Sequence, residues 1–74
     1  PRAGGVDTRQ AKKELARLER AIARLEQREA DLHTQLAEHA TDYEKVAALD
    51  TELRSVQAER SRTEDAWLAL ADEA

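Results

Sequence analysis

Leu15-Ala16-Arg17-Leu18-Glu19-Arg20-Ala21-Ile22-Ala23-Arg24-Leu25 is the stretch whose reading decides the fold. Its large apolar residues fall at 15, 18, 22 and 25, in alternating steps of three and four. That spacing lays them on one narrow stripe of a helix, the seam of a coiled coil. Upstream the stripe extends to Ala11, and downstream it continues through Leu32 and Leu36, with Glu29 filling the one skipped place. A second stripe follows the same rule through Val46, Leu49, Leu53, Val56, Trp67, Leu70 and Ala74, with Arg60 and Thr63 in its gaps. In heptad letters the a positions are Leu15, Ile22, Glu29, Leu36, Val46, Leu53, Arg60 and Trp67. The d positions are Ala11, Leu18, Leu25, Leu32, Leu49, Val56, Thr63 and Leu70.

The two stripes are out of phase: continuing the first past Leu36 brings Val46 into the wrong role. Thr41-Asp42-Tyr43-Glu44 reads as a capping box, in which the Thr41 hydroxyl and Glu44 carboxylate each satisfy an unpaired backbone N–H. Asp7 with Gln10 is a weaker start signal of the same kind. The expected architecture is all-α, an antiparallel two-helix coiled-coil hairpin over residues 7–74. Its helices run from about 8 to 38 and about 43 to 73, joined by a turn near 39–42. Antiparallel helices pair a with d, and a register in which facing residue numbers add to 85 fills every layer. It sets Leu36 against Leu49, Leu32 against Leu53, Glu29 against Val56, and Leu25 against Arg60. Ile22 then faces Thr63, Leu18 faces Trp67, and Leu15 faces Leu70.

Composition agrees with this reading and excludes much else. Of 74 residues 41% are hydrophobic and 38% charged, with 16 acidic and 12 basic groups giving a net charge of −4. Gly and Pro occur only within Pro1-Arg2-Ala3-Gly4-Gly5, so residues 1–6 read as a linker or cloning remnant and the rest holds no ready helix breaker. Without cysteine there is neither a disulfide framework nor a thiolate metal site. The apolar runs are too short for a membrane span or a signal-peptide core. A hairpin of this size and polarity encloses no deep pocket, so no catalytic residue and no cofactor site is assigned. His33 and His39 are six apart, which does not stack them on one helix face. Even with Glu38 and Asp42 nearby, no metal site is assigned to them.

Lys12-Lys13-Glu14-Leu15-Ala16-Arg17-Leu18-Glu19-Arg20, followed by Ile22 and Leu25, resembles the opening of the C-terminal domain of ABC-F ATPases of the Uup type. Tyr43-Glu44-Lys45-Val46-Ala47-Ala48-Leu49, then Glu52-Leu53 and Ala66-Trp67 with Leu70, is similar to its second half. The resemblance spans roughly residues 9–73 and rests mostly on Leu, Glu, Arg and Ala, which any coiled coil uses. It implies a helical hairpin at the C-terminus of a cytoplasmic, bacterial protein that carries two nucleotide-binding cassettes. It further implies an accessory domain of an ATPase that acts on ribosomes, with a nucleic-acid-binding role for such tails. ATP and Mg would belong to the parent's cassettes, since this sequence holds no phosphate-binding Gly-rich loop with Lys. The implied partners are ribosomal RNA or DNA and the ATPase domains of the same chain.

The residues themselves offer one candidate surface. Arg9, Lys13, Arg17, Arg20, Arg24 and Arg28 are spaced 4, 4, 3, 4 and 4 apart, mostly at outward c and f positions, and such a row can follow a phosphate backbone. Lys13, Arg17, Arg20, Arg24 and Arg28 are the expected nucleic-acid contacts. Residues 1–41 carry eight basic and seven acidic groups, against four basic and nine acidic in 42–74. The competing expectation pairs these arginines with Glu14, Glu19, Glu26 and Asp31 on a solvated face. Under it the hairpin is a structural spacer or dimerisation element with no nucleic-acid partner. Self-association is open to it through Ala16, Ala23, Ala30 and Ala37, which recur every seven residues beside the seam. Trp67 is expected to fill the seam against Leu18, Tyr43 to pack beside the turn, and Glu29 to meet Arg60 diagonally and fix the register.

Overall fold

The computed structural model describes residues 8–73. The proposed linker at 1–6, the start signal at Asp7 and the last seam residue, Ala74, lie outside them. Two helices of equal length make up the described chain, α1 over Thr8–Glu38 and α2 over Tyr43–Glu73, each of 31 residues. Ala, Leu, Glu and Arg are strong helix formers, and no Gly or Pro interrupts either span. At ~1.5 Å per residue each arm is about 46 Å long. The arms pack on each other as an antiparallel all-α hairpin.

The seam follows the heptad reading residue by residue. Ala11, Leu18, Leu32, Leu53 and Val56 are buried, all at a or d. The remaining described a and d residues are half-buried, Glu29 and Arg60 among them. Leu32, fully buried, forms a cluster with Leu53 and Val56, and Leu25, Leu36 and Leu49 pack against it. These are neighbouring layers of the register that sets Leu32 against Leu53. Thr63 sits in the seam without needing a partner from α1, because its hydroxyl donates to the Glu59 carbonyl one turn back at 2.8 Å. Among the described residues no buried side-chain polar atom lacks a hydrogen bond.

The turn differs in two details from the capping-box expectation. The His39 N–H still donates to the Gln35 carbonyl at 2.9 Å, and the Asp42 N–H closes the turn on the His39 carbonyl at 2.9 Å. The Val46 N–H then donates to the Asp42 carbonyl at 2.9 Å, while Asp42 Oδ1 accepts from the Lys45 N–H at 3.2 Å. Asp42, not Thr41, is therefore the N-cap of α2. Its carboxylate is a charged acceptor held at the positive end of the helix dipole, which favours it over a hydroxyl one residue earlier. With the helix starting one residue later, Glu44 is left in the first turn as a dipole-compensating acid. Tyr43 does not pack beside the turn. It is 84% exposed, at the first position of α2 and ahead of the seam, which begins at Val46.

Leu32→Ala removes the one fully buried large side chain among the described residues and should cost about 3 kcal/mol in a urea or thermal melt followed by circular dichroism. Tyr43→Ala should change stability by less than about 0.5 kcal/mol in the same measurement.

Candidate nucleic-acid interface

The basic row does not behave as a unit. Arg28 occupies the g position at the edge of the seam. Its Nε donates to Glu52 Oε2 at 3.0 Å on the facing helix, and a second guanidinium nitrogen pairs with the same oxygen. Arg17 is tied within α1, with Nε donating to Glu14 Oε1 at 3.0 Å and Nη2 paired with Glu14 Oε2. Lys13, Arg20 and Arg24 are exposed and form no ion pair among the described residues. Lys13, Arg17 and Arg20 line one shallow open groove on the outer surface of α1 together with Gln10, Glu14 and Ala16. Arg24 lies one helical turn beyond Arg20, about 6 Å along the axis.

Two of the neighbouring acids go elsewhere. Of the four that stand within helical reach of the row, Glu14 pairs with Arg17. Glu19 accepts the indole N–H of Trp67 at 3.1 Å across the hairpin, and Asp31 accepts from Gln27 at 3.0 Å. Trp67 is thus a half-buried residue at a seam position whose N–H is bonded across to α1. The Arg28–Glu52 and Trp67–Glu19 pairs were outside the sequence reading. The first had a signal available, since antiparallel coils bring g positions of both helices to the same edge.

Glu29 and Arg60 meet diagonally across the seam, as the register requires. Arg60 Nε is bonded to Glu29 Oε2, Nη2 lies 3.5 Å from Glu29 Oε1, and Nη1 donates to Glu64 Oε2 at 2.8 Å. The hydrogen bond to Glu29 holds the Arg60 guanidinium protonated beyond its already high ordinary value, and Glu64 reinforces it. The side chains are 31% and 13% exposed for Arg60 and Glu29. Among the described residues no group of three or more His, Asp or Glu stands where it could hold a metal ion. None of the described helices is long and apolar enough to cross a membrane.

The Arg17 guanidinium, chiefly by its hydrogen bonds, holds the Glu14 carboxyl below its ordinary value of 4.5. A lowered carboxylate pKa adds stability above the ordinary value and loses it as pH falls through the folded one. On so exposed a pair that contribution is small. A carboxyl-carbon NMR titration should find the Glu14 midpoint below 4.5, and Arg17→Gln should return it toward that value.

No characterised protein and no solved structure matches the chain significantly. A family described as the ABC transporter C-terminal domain matches over residues 7–72, nearly the whole hairpin. That family is a C-terminal domain of ABC proteins, which makes the hairpin an accessory part of such a protein. By this match and by its fold, the chain belongs to the ABC transporter C-terminal domain family.

Proposed function

We propose that the hairpin is an accessory domain that helps a cytoplasmic ABC-F-type ATPase engage the ribosome or nucleic acid through the outer face of α1. The observation that supports this most directly is the set of three exposed cations, Lys13, Arg20 and Arg24, without an ion-pair partner among the described residues. A cation already paired with a carboxylate releases few counterions when it meets a phosphate, so unpaired cations carry most of such binding. Arg17 contributes less because Glu14 holds it, and Arg28 least because it bridges to Glu52. With no aromatic side chain on this face the contact is to backbone phosphates rather than to stacked bases. The cassettes of the parent ATPase, with their ATP and Mg, act upstream of this contact and are partners of the hairpin within one chain.

A structural spacer is the reading favoured by the other half of the row. Two of the five expected contacts, Arg17 and Arg28, are committed to carboxylates, and the net charge of −4 opposes approach to a polyanion. The two readings part on one measurement. Fluorescence anisotropy with labelled duplex RNA and DNA should show weak, sequence-independent binding. Three phosphate contacts predict a salt slope of about −2.7, which is on the order of a 40-fold loss between about 50 and 200 mM salt. Lys13→Gln, Arg20→Gln and Arg24→Gln together should abolish binding with helicity unchanged, while Arg17→Gln alone should weaken it only modestly. Undiminished binding by the triple variant would remove this face of α1 as the site, and no binding by the natural sequence at low salt would leave the spacer reading.

A further inference from the structure

The apolar seam is uneven along its length. Both buried residues of α2, Leu53 and Val56, lie between the turn and Arg60. With Leu32, and with Leu36 and Leu49 packed around them, they form a core in the half of the hairpin next to the turn, and Leu25 packs against it from beyond Glu29. Past Arg60, α2 offers the seam Thr63, Trp67 and Leu70, all only half-buried. On the α1 side Leu18 and the small Ala11 are buried there, but Leu15 and Ile22 are not. Between the two halves stands the Glu29–Arg60–Glu64 layer.

The chemistry of that layer makes it a weak link rather than a clamp. Arg60 has two carboxylate partners, one on each helix, and the one on its own helix sits four residues on, with Nη1 to Glu64 Oε2 at 2.8 Å. An i,i+4 pair within one helix survives when the helices separate. Losing Glu29 therefore does not leave Arg60 without a partner. Glu29, 13% exposed in the closed hairpin, recovers water when the arms part. The opening cost is lowered on both sides by this exchange, since desolvating a carboxylate is expensive and the reverse step is favourable. An apolar layer at the same place would lose its whole burial on opening and would couple the two halves.

We propose that the Glu29–Arg60–Glu64 layer divides the hairpin into two cooperative units. The half near the turn, about residues 30–59, stays zipped, while residues 8–29 and 60–73 part and reclose as a second unit. Opening uncovers Leu15, Leu18, Trp67 and Leu70 without unfolding the turn-side core. The device is independent of whether α1 binds nucleic acid.

Amide hydrogen exchange of the chain, read residue by residue by NMR, tests it. Amides of Leu18, Ile22, Trp67 and Leu70 should show protection at least ~10-fold lower than those of Leu32, Leu36, Leu53 and Val56, with one shared opening rate within each set. Glu29→Leu with Arg60→Leu closes the layer with apolar contact and should narrow the gap to under ~3-fold. Glu29→Gln with Arg60→Gln, which keeps the layer polar but removes the ion pair, should widen it, and it serves if the leucine variant self-associates. Equal protection of both halves in the natural sequence would overturn the proposal. So would a gap that neither double variant changes, since that is ordinary fraying of helix ends.

Discussion

Each helix of this hairpin presents only one narrow apolar stripe, and the sole place among the described residues to bury it is the stripe of the other helix. Most of a helix's stability in a folded protein comes from packing such a face rather than from propensity. The pairing of the two stripes is therefore the constraint on which everything else depends. It fixes the antiparallel direction, because the turn is short. It fixes the register, because Leu32 must meet Leu53 and Val56 to be fully buried. It also fixes which side chains face outward, and so which charges are available to anything outside the hairpin.

The polar residues in the seam make sense on the same terms. Glu29 and Arg60 interrupt the stripe at sites that an aliphatic residue would have filled with more burial. What they add is uniqueness: sliding one helix past the other by a turn would separate them and leave a carboxylate half-buried without its cation. Thr63 answers the same problem differently, by bonding to its own helix and demanding nothing of α1. The layer around Arg60 is thus tolerated because each of its groups is satisfied, Arg60 twice over.

The outer charges are sorted by their distance from that seam. Arg28, at its edge, is drawn into a cross-helix pair, and Glu19 is drawn to the indole of Trp67. Lys13, Arg20 and Arg24 stand too far round α1 for α2 to reach. A row that looks uniform in spacing is therefore divided into Arg28, which bridges the two helices, Arg17, which is tied within α1, and cations that face solvent. As an accessory domain of an ABC protein, the closed hairpin uses its described interior to hold two helices together and leaves the outer faces of both helices exposed.

The alternation of three and four settled the helices, their seam and the antiparallel layers in advance, because side-chain direction on a helix follows directly from residue spacing. The same periodicity brought Glu29 within a diagonal step of Arg60. The tertiary structure alone decided which carboxylate each arginine took. Arg28 had Asp31 within helical reach and took Glu52 from the other helix, a choice that depends on the distance between the arms and not on local spacing. It also decided the cap, where Asp42 displaced Thr41 once the path of the turn set which backbone N–H groups were left over. Local sequence determines which faces a helix presents, whereas contacts between long charged side chains depend on a geometry that exists only after the helices have met.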